Sequence, residues 1–137
     1  MNEQEITEAK NELVQQWLIK AERDLASTRI LGEEVYFDTA LYHAQQAAEK
    51  AVKGLLLFYG QDFEKTQDIE KLVRLGIPLV AELELYLVEA KLLTPYAVRF
   101  RYPDDFSEPS QAEFDEALDA ATNYTFILSK LPKEVHP

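Results

Sequence analysis

Cysteine is absent from the chain, which removes disulfides, thiol nucleophiles and zinc–thiolate sites together. Glycine is scarce, at four residues, and neither an Asn-Gly turn nor a useful length of period-two alternation marks a β-hairpin. No apolar run approaches the roughly 20 residues that span a bilayer, and the opening MNEQEITEAK has no signal-peptide core. The expected address is therefore cytoplasmic, away from membranes. Positive charge is in deficit: 14 Lys and Arg face 25 Asp and Glu, a formal charge of −11. That balance repels phosphate backbones and argues against a general nucleic-acid coat protein. It leaves room for a local basic pocket, because screening confines each charge to roughly 10 Å. Two histidines, His43 and His136, lie too far apart in sequence to form a ligand pair, so no metal site is expected.

What is present is apolar periodicity of the helical kind. The 137 residues, 47% of them apolar, suit a single domain with one core. The core is expected over about 10–131, with frayed termini. The organising stretch is Asp38 to Tyr59, closed by Gly60. Leu41, Ala44, Ala48, Ala51, Val52, Leu55 and Phe58 form a buried helical stripe. His43, Gln46, Lys50 and Lys53 repeat the same three- and four-residue steps along a polar one. Asp38 and Thr39 are candidate N-caps, and Gly60 suits the left-handed position that ends a helix.

Around this helix the pattern predicts four further pieces. One runs from about Lys10 to Leu31, ended by Gly32, with Leu13, Val14, Trp17, Leu18, Ala21 and Leu25 on its apolar face; Trp17 reads as a core anchor. Its short link to the central helix makes the two antiparallel neighbours. A shorter helix, QDIEKLVRLG, has Thr66 as N-cap. A helix over about Leu79 to Leu93 is apolar around more than half its circumference, breadth enough for a second subunit. The last helix opens on Ser110 and Glu113 in capping-box spacing and carries Phe114, Ala117, Leu118, Ala121, Tyr124 and Leu128. The fold class is all-α, an up-and-down four-helix bundle with one additional short helix.

LIKAERDL (18–25), YHAQQAAEKAVKGLLLFYG (42–60), TQDIEKLV (66–73) and LTPYAVRFRYP (93–103) resemble, in order and separation, the successive motifs of HEPN domains. The resemblance spans about Trp17 to Leu131. It implies a small helical protein, often prokaryotic, that works beside a separately encoded minimal nucleotidyltransferase in a toxin–antitoxin-like pair. The family's catalytic branch consists of metal-independent RNases with an Arg, four to six residues, then a His. A cation there stabilises the phosphorane while an imidazole moves the 2′-hydroxyl proton. Here Arg99 and Arg101 are followed by Asp104 and Asp105, with no His before His136, so the resemblance is to the non-catalytic type. Gln67 stands where many relatives carry a His.

The expected activity is accordingly binding, with no catalytic residue and no cofactor beyond a nucleotide ligand. Arg101 can grip a phosphate as a bidentate pair, and Lys50 and Lys53 add point charges. His43 and Gln46 can read a base or sugar, and Tyr96 or Tyr102 can stack on a base. Tyr102 is also the first tyrosine to consider for modification by a partner. The expected partners are a second copy of the chain and the nucleotidyltransferase. The competing readings are a divergent RNase toxin using Arg101, with His43 supplied from elsewhere in the bundle or across a dimer, and a purely structural interaction module. On the bland reading His43, Lys50 and Lys53 are ordinary helix residues, and Glu49 and Lys53 a surface pair.

Overall fold

A computed structural model describes residues 1–100 and 108–137, and every ordered element among them is helical. The helices are α1 (Glu3–Glu33), α2 (Phe37–Phe58), α3 (Ile69–Gly76), α4 (Leu87–Leu93), α5 (Gln111–Thr122) and α6 (Tyr124–Ser129). Short 3-10 turns at Ala81–Tyr86, Thr94–Ala97 and Lys133–Val135 complete the chain. None of these helices is long and apolar enough to cross a membrane.

The antiparallel α1–α2 hairpin is the frame. Val14, Leu18, Ala21 and Leu25 of α1 bury against the stripe on α2 that includes Ala44, Ala51 and Leu55. The small residues of α2 let the helices approach closely. A Cβ added at Gly54 would lie 3.3 Å from both Leu18 Cδ2 and Trp17 Cβ. α3, α4 and α6 pack on α2, and α5 packs on α1, α2 and α4.

α1 is longer at both ends than its apolar pattern predicts. Asn2 caps its start, accepting from the Glu5 N–H at 2.8 Å. At the other end Gly32 does not stop the helix. It stays inside because the Phe114 ring crosses there, with Cζ only 2.1 Å from where a Cβ would sit. The stop falls at Val35, whose φ of 63° lets its N–H reach Gly32 O and the Tyr36 N–H reach Leu31 O. Those paired bonds are the Schellman closure, here made by a β-branched residue. α2 ends the same way at Gly60, φ 73°, where the side-chain-free residue adopts that conformation without strain.

Neither expected cap at Asp38 or Thr39 forms. Tyr36 occupies the N-cap position of α2 without a side-chain bond, and Asp38 turns back to accept from the Thr39 N–H. In α3 the cap is Asp68 rather than Thr66, whose hydroxyl instead accepts from the Asp68 N–H. The capping of α5 by Ser110 is as the sequence indicates.

Two helices expected to be continuous are broken. Residues 81–86 wind as a 3-10 turn, which puts Leu83 and Tyr86, both buried, on one face three residues apart. The last helix divides at Asn123. Thr122 and Thr125 give their hydroxyls to nearby carbonyls, Asp119 O and Thr122 O, and so compete with the helical ladder. The C-terminal residues are tied down rather than loose. Val135 is fully buried, and the His136 ring nitrogen Nε2 meets Leu128 O and Leu131 O at 2.9 and 3.0 Å.

Candidate functional site

The polar stripe of α2 meets α1 at a single buried carboxylate, Asp24. Its Oδ1 lies 2.8 Å from His43 Nδ1 and its Oδ2 accepts from Lys50 Nζ at 2.6 Å. His43 and Lys50 are two helical turns apart and so project from one face. Asp24 sits one turn along from Ala21 and beside Leu25, at the edge of the seam. Lys50 has no carboxylate at helical spacing on its own helix; it finds one 26 residues back in the chain. The geometry orients the imidazole and neutralises the carboxylate. It also leaves the outer edges of His43 and Lys50 partly exposed, at 30% and 23% of their side chains.

One turn farther along α2 the seam opens into a cleft of about 640 Å³. Lys50, Lys53 and Lys65 contribute its cations, Trp17 and Glu49 its walls, and Thr66 and Gln67 its far lip. The lip is anchored from within, because the fully buried Gln45 donates from Nε2 to Gln67 O at 2.9 Å. Trp17 is half-buried and lines this cleft, not the core. It meets Phe63 edge-on at 6.4 Å, and Lys53 Nζ stands 5.6 Å from its ring centre. An indole is large and amphipathic enough to serve at such a margin.

Glu49 and Lys53 form a buried pair rather than a surface one. Their charged atoms are 3.6 Å apart, beyond hydrogen-bond reach, and Glu49 Oε1 has no donor. Burial pushes the Glu49 carboxyl above its ordinary value, Lys53 and Lys50 pull it back, and the Asp24 charge adds to the rise.

The remaining sequence candidates separate from this cleft. Gln46 is buried and donates to Gln45 Oε1 at 2.7 Å. Tyr96 is buried, with its hydroxyl 3.2 Å from Glu113 Oε2 on α5. Burial first, then the neighbouring Glu113, pushes its phenol up to about 12. The same Glu113 oxygen takes Arg99 at 2.8 Å. Arg101 and Tyr102 lie outside the described residues. Asp24 and Lys65 belong to the site without having been marked by sequence, and Trp17 and Glu49 belong to it although the sequence pointed to a core anchor and a surface pair. Only Asp24 carried a usable signal, a carboxylate at the apolar edge of a helix. No group of three or more His, Asp and Glu among the described residues is arranged to hold a metal ion.

Comparison with known proteins bears on the same region. The HEPN domain family model matches residues 14–129. A Methanocaldococcus jannaschii protein named "Putative toxin MJ1304" is 29% identical over 132 residues, covering 84% of this chain and 85% of its own. The crystal structure of TT1696 from Thermus thermophilus superposes with a TM-score of 0.77 at 30% identity, covering 88% of this chain and 99% of that one. ST0689, described as an archaeal HEPN homologue, gives 0.69 at 30% identity over 85% and 96%.

Proposed function

The chain belongs to the HEPN domain family, and from that premise we propose that it binds a nucleotide in the cleft beside α2. It acts without catalysis of its own, paired with a minimal nucleotidyltransferase in a toxin–antitoxin-like module. The observation that supports this most is the convergence of Lys50, Lys53 and Lys65 on one cleft in a chain of charge −11. Three ammoniums beside a half-buried indole suit a phosphate chain attached to a planar base. Lys50 can turn from Asp24 to a phosphate because His43 remains to face the carboxylate.

A thermal-shift titration with ATP, ADP, AMP and GTP tests this on wild type and Lys65→Ala. Lys65 is exposed, so its loss leaves the fold intact. Saturation at a hundred times the dissociation constant adds about 2.7 kcal/mol, several degrees in the unfolding midpoint. A saturable shift that weakens in the variant supports the cleft. No shift with any nucleotide rejects it.

One arrangement favours a second reading, an RNase. Asp24 holds His43 by Nδ1, which leaves Nε2 for proton transfer, with Lys50 or Arg101 as the cation. Cleavage of structured RNA that disappears in His43→Ala would support it, and absence of cleavage by the wild type would reject it.

A further inference from the structure

The opposite kind of surface lies on α4, α5 and α6. Leu85, at the end of the 3-10 turn before α4, and Val88 are both 76% exposed. Leu92, at helical spacing from them (i, i+3, i+7), is half-buried against the core with its remaining surface in the same hollow as Val88. The inward side is taken by Leu83, Tyr86, Ala90 and Leu93, all buried. Two adjoining hollows, about 370 and 160 Å³, share Glu89 and Asn123 and so make one groove from Leu85 to Leu92, floored by Ala120 and Phe126.

The groove's charged lining is all of one sign. Glu89, Glu116 and Asp119 line it, and no ion pair engages any of the three among the described residues. Glu89 Oε2 is enclosed and has no donor. The one cation of α4, Lys91, turns away toward Glu70 of α3 at 3.9 Å. Helices α5 and α6 contain no Lys or Arg, and Lys130, just past α6, stands over the Phe126 ring at 5.2 Å with its ammonium 3.9 Å from Glu82.

We propose that this groove docks a basic amphipathic helix of a separate polypeptide. The helix lays apolar residues on Leu85, Val88 and Leu92 and sets its lysines or arginines against Glu89, Glu116 and Asp119. This is helix-in-groove recognition, with apolar anchors for affinity and flanking charge for choice of partner. A second copy of the chain fits poorly. An isologous dimer would place this patch on itself, three carboxylates against three, and the nearby cation, Lys130 over Phe126, is already engaged by Glu82. Phosphate-rich partners are repelled by the same wall. The groove shares no residue with the cleft on α2, so the inference stands whether or not that cleft binds a nucleotide.

The test uses the full chain and two labelled synthetic helices with the same leucine spacing, one flanked by lysines and one by glutamates. Fluorescence anisotropy should show the lysine peptide binding at least tenfold more tightly. Val88→Ser and, separately, the double change Glu116→Lys with Asp119→Lys should each weaken it about tenfold, and the double change should improve binding of the glutamate peptide. All these positions are at the surface, and circular dichroism confirms that each variant folds. Equal binding of both peptides, binding of the lysine peptide that Val88→Ser leaves untouched, or no binding at all overturns the proposal. So does a light-scattering mass of a dimer that reverts to about 16 kDa in Val88→Ser, since the groove would then be filled by the chain itself.

Discussion

The α1–α2 seam and the α4–α6 face handle charge in opposite ways. On the seam the polar side chains are matched from inside the fold: Lys50 and the His43 ring by Asp24, Lys53 by Glu49 and by the rings of Trp17 and Phe63, with Lys65 at the cleft's edge left without an ion pair among the described residues. On the other face Glu89, Glu116 and Asp119 are left without a counter-charge among the described residues, and Leu85 and Val88 without cover. A seam of this kind is sensitive to the loss of either partner, because the survivor is stranded in low dielectric. An unmatched face contributes little to folding and keeps its interactions for something outside. The difference teaches where substitutions should cost stability and where they should cost only association.

Asp24→Ala should show the largest effect. It leaves Lys50 and His43 facing a partly buried gap, and the loss should be about 3 kcal/mol, toward the low end for a broken buried pair because both partners can lean to solvent. Chemical unfolding should register this, while Glu116→Ala on the opposite face stays within about 0.5 kcal/mol. Equal effects would erase the distinction.

The two helix ends of the hairpin offer a smaller test. Val35 and Gly60 close their helices with the same bonds, but only Val35 carries a β-branched side chain at positive φ. Val35 is 64% exposed, so it gains little from burial. Val35→Gly should stabilise by about 1 kcal/mol through released left-handed strain. Gly60→Val, with nothing within 4 Å to clash, should cost a similar amount from backbone strain alone.

A finer effect, visible in its pH dependence, comes from Glu49. Its carboxyl is raised from 4.5 by burial, so the folded state holds the proton more tightly than the unfolded one. The stability this supplies is complete below the unfolded value and is lost as pH rises through the folded value. Glutamine imitates the protonated form. The unfolding free energy of Glu49→Gln relative to wild type should therefore increase as pH rises from the ordinary carboxylate range through the folded value. A difference that is flat with pH would mean that Lys53 already offsets the burial.

Much of the frame was legible in the chain. The α2 stripe from Leu41 to Leu55, the Gly60 stop and the Ser110 cap follow from periodicity and local chemistry, and so do the all-α class and the helical hairpin. The motifs at 42–60 and 93–103 pointed to the family. The site was legible only on its own helix. His43, Lys50 and Lys53 could be placed on one face, but their carboxylate at Asp24 is a long-range contact that no spacing rule reaches. Gly32 misled for a related reason: it is small because Phe114 crosses α1, not because the helix stops. Trp17 misled because size and apolarity favour burial without saying which margin of the core a ring will occupy. The breaks at 81–86 and Asn123 come from competition between local hydroxyl bonds, tertiary packing and the helical ladder, which a hydrophobic stripe does not report.

The smallest stability effect, and the sharpest form of the comparison, is expected at Leu85 and Val88. Burying either side chain would stabilise by roughly 1.5–3 kcal/mol, but both are 76% exposed, so almost none of that is realised in the isolated chain. Leu85→Ser with Val88→Ser should leave the unfolding midpoint within about a degree or two, the serine helix propensities costing roughly a few tenths of a kcal/mol. A loss above about 1 kcal/mol would show that these residues are covered in solution, by self-association or by a rearranged neighbour. Near-neutrality together with lost peptide binding would separate the two regions cleanly: one seam that holds the protein together, and one face whose apolar energy is released only when a partner arrives.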